Sequence, residues 1–216
     1  MVLVVTAEAG FRKDWWLCHG KRVFDALGAA VLLALFLPLI ATLWALVRRD
    51  GGPGFHGHPR VGRHGRLFRC WKLRSMVPDA ATRLAMHLAA NQAAAEEWAR
   101  DFKLTDNPRI TRLGHLLRRT SLDELPQLWN VLRGEMSLVG PRPVTPPEYA
   151  SYGRSQHYYH RLRPGMTGLW QVSRRGEPGN RARVAMDVTY YWRASPLTDL
   201  RILLGTLGAV LRGTGQ

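Results

Sequence analysis

The sequence predicts an α+β fold that is predominantly helical, and three observations support this. A long uncharged apolar segment lies near the N-terminus, a glycine-rich loop leads into short segments typical of strands, and several later segments have helical spacing. A chain of 216 residues is long enough for one domain with a core and one membrane element. Two separate enzymes in this length are not expected.

The apolar segment runs from Ala26 to Val47 without a charged residue, and as a helix it would reach roughly 33 Å, enough to cross a bilayer core. A signal peptide is a poor alternative, because no small-residue cleavage site follows the segment. Pro38 lies in its middle, where it removes a backbone hydrogen bond and predicts a kink or break. Both flanks are basic, so the residues alone leave a simple span and a re-entrant hairpin open.

The glycine-rich stretch after Asp50 predicts a loop and then short strands around a glycine turn. Alanine-rich residues 79–102 predict one amphipathic helix, and a second helix is expected from Leu122 to Leu132, ending at Gly134. The C-terminal stretch from Pro196 is apolar with few charges, which predicts an interfacial or packing helix.

Charge and cysteine content restrict the classes of function. The chain has 31 lysines and arginines against 16 acids, a net charge of +15, so an anionic partner is expected: nucleic acid, phospholipid headgroups or a phosphorylated substrate. Basic residues recur from residue 60 to residue 72, where headgroup binding and a merely solvated face are both open. Cys18 and Cys70 form no C-x-x-C pair, so neither a disulfide framework nor a cysteine metal site is predicted.

An acidic pair, Asp123 and Glu124, follows Arg118 and Arg119 directly. Ser121 and Glu124 have the spacing of a capping box, which would explain Glu124 structurally and leaves Asp123 as the residue that a cap does not require. The histidines lack a third ligand at a recognisable spacing, and no P-loop, Rossmann or hydrolase motif occurs. The residues alone therefore leave both a cap and a catalytic pair open.

Long runs of this sequence resemble the signature core of one family, the bacterial sugar transferases, which are monotopic polyprenyl-phosphate phosphoglycosyl transferases. The runs are DNPRITRLG at 106–114, LRRTSLDELPQLWNVL at 117–132, GEMSLVGPRP at 134–143 and RPGMTGLWQVS at 163–173. The likeness extends back to Lys21 and includes Arg60-Val61-Gly62. Within the family, the short single domain is most similar to the exopolysaccharide-initiating members that act on a UDP-hexose.

The resemblance implies roles for particular residues. Asp123 would be the covalent nucleophile, and Glu124 would help to hold Mg²⁺ or assist the second step, so that both acids are expected metal ligands. Arg118, Arg142 and Arg163 would hold phosphate groups. The implied reaction joins a hexose-1-phosphate from the UDP-sugar to undecaprenyl phosphate and releases UMP.

The resemblance also implies an architecture. A re-entrant membrane helix broken at Pro38 would precede a small cytoplasmic catalytic domain with a short β-hairpin and amphipathic interfacial helices, at the bacterial inner membrane. The expected divisions are an N-terminal segment at 1–20, the re-entrant helix at 21–50, the catalytic domain at 51–196 and the interfacial helix at 197–216. Membrane phospholipids are expected partners, nucleic acid is not, and a homodimer is left open.

Three residues depart from the family pattern. Leu37 stands where a serine usually precedes the proline, His58 replaces a glutamine, and Arg174 replaces a glycine near the end of the signature. Two other classes of function compete with the transferase. One is a membrane-anchored basic binding module in which the acids only cap a helix, and the other is a soluble nucleic-acid binder, which the apolar segment and the lack of a motif for that role disfavour.

Overall fold

The computed structural model describes residues 15–101, 104–173 and 180–211. Its first part comprises a π-helical turn at Trp16–Gly20, helix α1 at Lys21–Val47, strands β1 at Phe55–Val61 and β2 at Leu67–Leu73, and helices α2 at Ala80–Ala90, α3 at Gln92–Asp101, α4 at Arg112–Thr120 and α5 at Gln127–Arg133. Strand β3 at Ser137–Val139, helices α6 at Pro146–Ala150 and α7 at Gln156–Arg161, strand β4 at Gly165–Thr167, and helices α8 at Leu169–Ser173, α9 at Asn180–Arg193 and α10 at Pro196–Leu211 follow. The predicted α+β, predominantly helical class is confirmed.

Two small sheets organise the domain. Strands β1 and β2 form the predicted antiparallel hairpin, with Phe55 opposite Leu73 and Val61 opposite Leu67. Strands β3 and β4 form a parallel pair that the sequence did not predict. This pair lies in the main core, where Val139 and Met136 are fully buried beside residues of α5, α9 and α10.

Helix α1 is long and apolar enough to cross a membrane by length and composition, with a mean hydropathy of 2.6 over its most apolar window. Its middle is exposed, as Val31 and Leu35 are each 67% accessible. Its two ends, however, pack on the same domain. Ala29 is buried against the main core, whereas Leu43 and Val47 pack with Leu73 and Leu117 in a second cluster.

Of the two outcomes predicted at Pro38, the break is wrong, because helical structure continues without interruption from Lys21 to Val47, whereas a kink within the continuous helix stays a prediction. Proline removes only its own N–H donor from the hydrogen-bond ladder, and the surrounding residues retain theirs. The Thr42 hydroxyl donates to the Pro38 carbonyl oxygen at 2.9 Å. Leu37, which replaces the usual serine, is exposed and apolar.

Two helix boundaries also differ from the predictions. Residues 79–102 were predicted as one helix, but Asn91 is extended (φ −137°, ψ 103°) and separates α2 from α3. The helix predicted from Leu122 begins only at Gln127, after a 3₁₀ turn at Leu122–Glu124. Its predicted end is confirmed, since Gly134 has the left-handed conformation (φ 79°) that terminates α5.

Candidate active site

The acidic pair lies in the 3₁₀ turn between α4 and α5. Ser121 ends α4 in the left-handed conformation (φ 57°), and its side chain makes no capping hydrogen bond. The predicted capping box is therefore wrong, because a left-handed Ser121 redirects the chain and Glu124 bonds elsewhere. Asp123 is left 6% exposed, whereas the Glu124 side chain is 38% exposed.

Lys72 of β2 connects the two carboxylates. Its Nζ lies 2.7 Å from Glu124 Oε1 and 3.7 Å from Asp123 Oδ2. Burial lowers the pKa of the Lys72 ammonium, but the two carboxylates raise it by more, so that the net pKa is above its ordinary value. The ammonium is therefore held in its charged form between the acids.

A buried amide fixes Lys72 in this position. The Asn130 side chain of α5 accepts a hydrogen bond from the Trp71 backbone N–H at 3.0 Å and donates to the Arg69 carbonyl at 2.8 Å. The Asn130 amide therefore takes the place of a neighbouring strand along the free edge of β2. It also joins β2 to α5, the helix that follows the acidic pair. Asn130 is fully buried, so leaving its amide unpaired would cost about 1–3 kcal/mol.

Burial raises the pKa of the Asp123 carboxyl, Lys72 and Arg118 oppose that shift, and Glu124 adds to it. Arg118, on the last turn of α4, donates from Nε to the Ser75 hydroxyl at 2.9 Å. Cys70 of β2 is buried and is not a second nucleophile, because burial raises the pKa of its thiol to about 11.

The three arginines predicted to hold phosphate lie in different places. Arg118 is beside Asp123, and Arg142 is exposed on the loop after β3. Arg163 lies at the other end of α5, where its Nε donates to the Gly134 carbonyl at 2.9 Å. Their phosphate-binding roles stay predictions. Arg118 has the position that the role requires, and Arg163 is the farthest from the dyad along α5.

The pair of carboxylates suits Mg²⁺, a hard cation that typically takes one or two protein carboxylates and completes its shell with substrate phosphates and water. The Lys72 ammonium against both acids shows that this edge of the dyad accommodates a cation. No cluster of three or more histidine, cysteine, aspartate or glutamate side chains occurs within the described ranges. A metal held by Asp123 and Glu124 would therefore complete its shell with water and with oxygens from a bound substrate.

Sequence reasoning missed the contacts of Lys72 with the acidic pair and of Asn130 with β2. Lys72 belonged to the basic residues for which a headgroup-binding surface and a solvated face were both open. Asn130 was predicted only to lie within the helix from Leu122 to Leu132. The hairpin register is the signal that separates Lys72 from its neighbours, because it pairs Lys72 with His56 and puts Arg69 opposite Pro59, on the other face.

A third cluster supports the loop that carries Arg142. The buried Tyr159 hydroxyl donates to the Val61 carbonyl at 2.8 Å and also receives the Val144 N–H at 3.4 Å. Next to it, the Tyr152 hydroxyl donates to Asp187 Oδ2 at 2.7 Å. The end of β1 and the loop after β3 are thereby joined through one tyrosine.

Asp187 predicts a pH-dependent stability. Burial raises its pKa to about 7, against the opposing effects of Tyr152, Arg183 and Arg142. Because the folded pKa lies above the ordinary 3.8, its contribution is fully present below about pH 4 and is lost as the pH rises through about 7. At about 1.4 kcal/mol per pKa unit, the loss is at most about 4 kcal/mol.

We expect the melting temperature of the wild-type protein in detergent to fall between pH 5 and pH 8, and Asp187→Asn to flatten that dependence while keeping an acceptor for Tyr152. Asp79→Asn, which alters an exposed acid paired with Arg83, is the matched control and should leave the slope unchanged. Equal slopes in Asp187→Asn and wild type would contradict the assignment.

The apolar helix, the small α+β domain and the acidic pair define a class of protein: an α+β domain with a helix apolar enough to cross a membrane and a buried acid beside Lys72 and Arg118. The family model described as "Bacterial sugar transferase" matches residues 16–213. The chain belongs to this family.

Three relatives illustrate the similarity. A UDP-galactose-lipid carrier transferase of Erwinia amylovora is 51% identical over 90% of this chain, and an undecaprenyl-phosphate galactose phosphotransferase of Salmonella typhimurium is 49% identical over 90%. In both, the match covers 41% of the relative's length. The exopolysaccharide production protein ExoY of Rhizobium meliloti is 46% identical over 91% of this chain and 87% of its own.

Proposed function

We propose that this chain transfers a hexose-1-phosphate from a UDP-hexose to undecaprenyl phosphate through a covalent phosphosugar-aspartate, and that it starts the assembly of an exopolysaccharide or related glycan at the bacterial inner membrane. One observation carries the proposal: Asp123 is almost completely buried, yet lies beside the side chains of Lys72 and Arg118. A buried acid between cations is suited to receive a negatively charged phosphoryl group. The names of two relatives, a UDP-galactose-lipid carrier transferase and an undecaprenyl-phosphate galactose phosphotransferase, support the donor and the acceptor.

In the first step, a carboxylate oxygen of Asp123 attacks the phosphorus that carries the sugar. A bond forms between that oxygen and phosphorus, and the bond to the bridging diphosphate oxygen breaks, so that UMP leaves with the electron pair. Lys72 and Arg118 donate hydrogen bonds toward the phosphoryl oxygens, where negative charge is spread in the transition state. Mg²⁺, when bound, would neutralise charge on the diphosphate.

In the second step, a phosphate oxygen of undecaprenyl phosphate attacks the same phosphorus. A new diphosphate bond forms, the bond to the aspartyl oxygen breaks, and Asp123 regains its carboxylate. Glu124 contacts Lys72 at 2.7 Å and is more exposed than Asp123, so it remains accessible to a metal ion or to the incoming phosphate. Two in-line displacements at one phosphorus, with the Asp123 carboxylate as the nucleophile and then as the leaving group, account for the whole transfer.

Membrane insertion is part of the proposal, with both ends of α1 on the cytoplasmic side. At the N-terminal end, Arg22 donates to the Val131 and Leu132 carbonyls, each at 2.6 Å, and at the C-terminal end Arg74 donates to the Val47 carbonyl at 2.9 Å. A straight span would carry one end about 30 Å from the domain that both ends contact. A re-entrant helix keeps both contacts.

Topology is testable by cysteine labelling. Single cysteines placed at Trp15 and at Arg49, in a variant without Cys18 and Cys70, should both react with a membrane-impermeant maleimide only after the cytoplasmic face is opened. Arg49 is exposed and Trp15 is 56% exposed, so neither site is shielded by packing. Labelling of the two positions from opposite faces would contradict the re-entrant arrangement.

The reaction is tested by UMP release from the purified full chain with Mg²⁺, undecaprenyl phosphate, and either UDP-glucose or UDP-galactose. If the proposal is correct, repeated turnover depends on both the lipid and the sugar nucleotide, whereas without the lipid each chain releases at most one equivalent of UMP. The UDP-sugar that supports the faster turnover identifies the hexose. If the chain is instead a membrane-anchored basic binding module, it should bind anionic lipid but release no UMP from any UDP-hexose. Absence of turnover with a panel of UDP-sugars would favour the module.

A further inference from the structure

The Arg118 guanidinium is held by one of its donors and keeps the others available. Its Nε–H donates to the Ser75 hydroxyl at 2.9 Å. Within residues 15–101, 104–173 and 180–211, its two terminal nitrogens have no hydrogen-bond partner, and no carboxylate lies within 4.0 Å of them. Because a guanidinium presents its N–H donors in a rigid planar fork, fixing Nε also restricts the direction of the terminal donors.

Ser75 is itself held firmly in the structure. It is 8% exposed, and its carbonyl accepts the Thr111 N–H at 3.1 Å, which joins it to the start of α4. The preceding residue, Arg74, donates to the Val47 carbonyl at 2.9 Å and to the Met76 carbonyl at 2.8 Å. The Ser75 hydroxyl therefore projects from a backbone segment that is anchored both to the end of α1 and to α4.

Helix α4 approaches Ser75 closely because residue 114 is glycine. A Cβ atom at Gly114 would lie 2.0 Å from the Ser75 carbonyl oxygen, so any other residue would push the helix away. The Thr111 hydroxyl caps the same helix by accepting the Gly114 N–H at 2.9 Å. Both ends of α4 are thus joined to Ser75, the start through its backbone and the last turn through its hydroxyl.

The Ser75 hydroxyl also relates the two cations beside Asp123 to each other. Lys72 lies on β2, and Ser75 follows the end of that strand by two residues. Arg118 belongs to α4, a different element. The hydrogen bond from Arg118 to Ser75 therefore ties the guanidinium to the chain segment that carries the Lys72 ammonium.

We propose that Ser75 is a positioning residue for the transfer reaction: its hydroxyl accepts the Arg118 Nε–H so that the terminal nitrogens of Arg118 present paired donors to the phosphoryl group that Asp123 attacks. The inference rests on the proposed function and assigns a role in it to an uncharged residue that does not touch the substrate. Paired donors match the oxygens of a phosphoryl group, over which negative charge is spread in the transition state. Ser75 contributes by orientation alone.

A double-mutant cycle in the full chain tests this role, with kcat/KM for UMP release in the presence of both substrates as the measurement. Ser75→Ala should lose about tenfold and Arg118→Ala about thirtyfold. The double variant should fall no further than Arg118→Ala, because the hydroxyl acts only through the guanidinium. Two losses that multiply would overturn the proposal, since Ser75 would then act independently of Arg118.

Two further variants separate positioning from general stability. Ser75→Thr keeps the hydroxyl and should stay within about threefold of wild type, whereas a loss equal to that of Ser75→Ala at an unchanged melting temperature would reject the role of the hydroxyl. Ser137→Ala is the matched control, because it removes another buried serine hydroxyl, which donates to the Val139 carbonyl at 2.8 Å. It should cost less than about threefold in kcat/KM. Equal losses in Ser137→Ala and Ser75→Ala would also overturn the proposal.

Binding of UDP, measured by calorimetry with Mg²⁺ present, repeats the cycle without any transfer. Ser75→Ala and Arg118→Ala should each weaken binding, and the double variant should again match Arg118→Ala. This coupling in a chain that releases no UMP from any UDP-hexose would reject the transfer reaction and retain the contact of Arg118 with phosphate. Wild-type turnover without coupling in either measurement would reject the role of Ser75 and leave the transfer reaction standing.

Discussion

Asp123→Asn is expected to reduce UMP release by about a thousandfold or more, because an amide cannot form the phosphosugar intermediate. The fold should survive the change. Asn is nearly isosteric with Asp, and burial already raises the pKa of this carboxyl, so the neutral amide removes an unfavourable buried charge. Measurement of turnover with undecaprenyl phosphate, beside the melting temperature of the same preparation, checks both expectations.

The matched control for this variant is Asp79→Asn, which alters an acid on the exposed start of α2. It should retain turnover within about twofold, in keeping with the small effects of surface changes. Asp123→Asn with turnover within tenfold of wild type would remove the basis for the nucleophile. A large loss of turnover in Asp79→Asn would show that the assay reports general damage.

Lys72→Met is expected to have the second largest effect, a loss of about a hundredfold in turnover. Without the ammonium, the Asp123 and Glu124 carboxylates repel each other and the incoming diphosphate, and the phosphoryl oxygens lose a charged donor. Lys72→Arg keeps the charge and should restore part of the activity. Turnover of each variant at saturating UDP-hexose separates this effect from weaker substrate binding.

The control for Lys72 comes from the same strand. Arg69→Met removes one positive charge from β2, but Arg69 lies opposite Pro59 and its side chain is exposed. It should cost less than about threefold in turnover. Equal losses in Lys72→Met and Arg69→Met would mean that the strand contributes only general positive potential, and the specific role of Lys72 would be rejected.

Local sequence patterns correctly predicted the elements whose formation depends mainly on local interactions. The uncharged segment from Ala26 predicted α1, the glycine turn predicted the hairpin, and Gly134 predicted the end of α5. The predicted break at Pro38 did not occur, since one missing donor does not interrupt a helix whose other bonds persist, and the alternative of a kink stays a prediction. Asn91 separates α2 from α3 within a stretch whose composition is helical throughout.

The candidate site was predicted less completely, for a physical reason. The capping box failed because the left-handed conformation of Ser121 and the pairing of Glu124 with Lys72 depend on tertiary contacts. Lys72 and Glu124 are separated by 52 positions, and only the hairpin register together with Asn130 brings them together. The family resemblance selected Asp123, whereas the structure identified the lysine beside it and located Arg163 at the far end of α5.

The central claim is the covalent intermediate on Asp123, and trapping it tests that claim most directly. The full chain would be incubated with Mg²⁺ and UDP-hexose labelled in the sugar, without undecaprenyl phosphate, then denatured rapidly and mapped by mass spectrometry. We predict a hexose-phosphate adduct on the peptide that contains Asp123, absent from Asp123→Asn, retained in Ser121→Ala and discharged by added undecaprenyl phosphate. Wild-type protein that releases UMP only when both substrates are present, with no adduct on Asp123, would contradict the account.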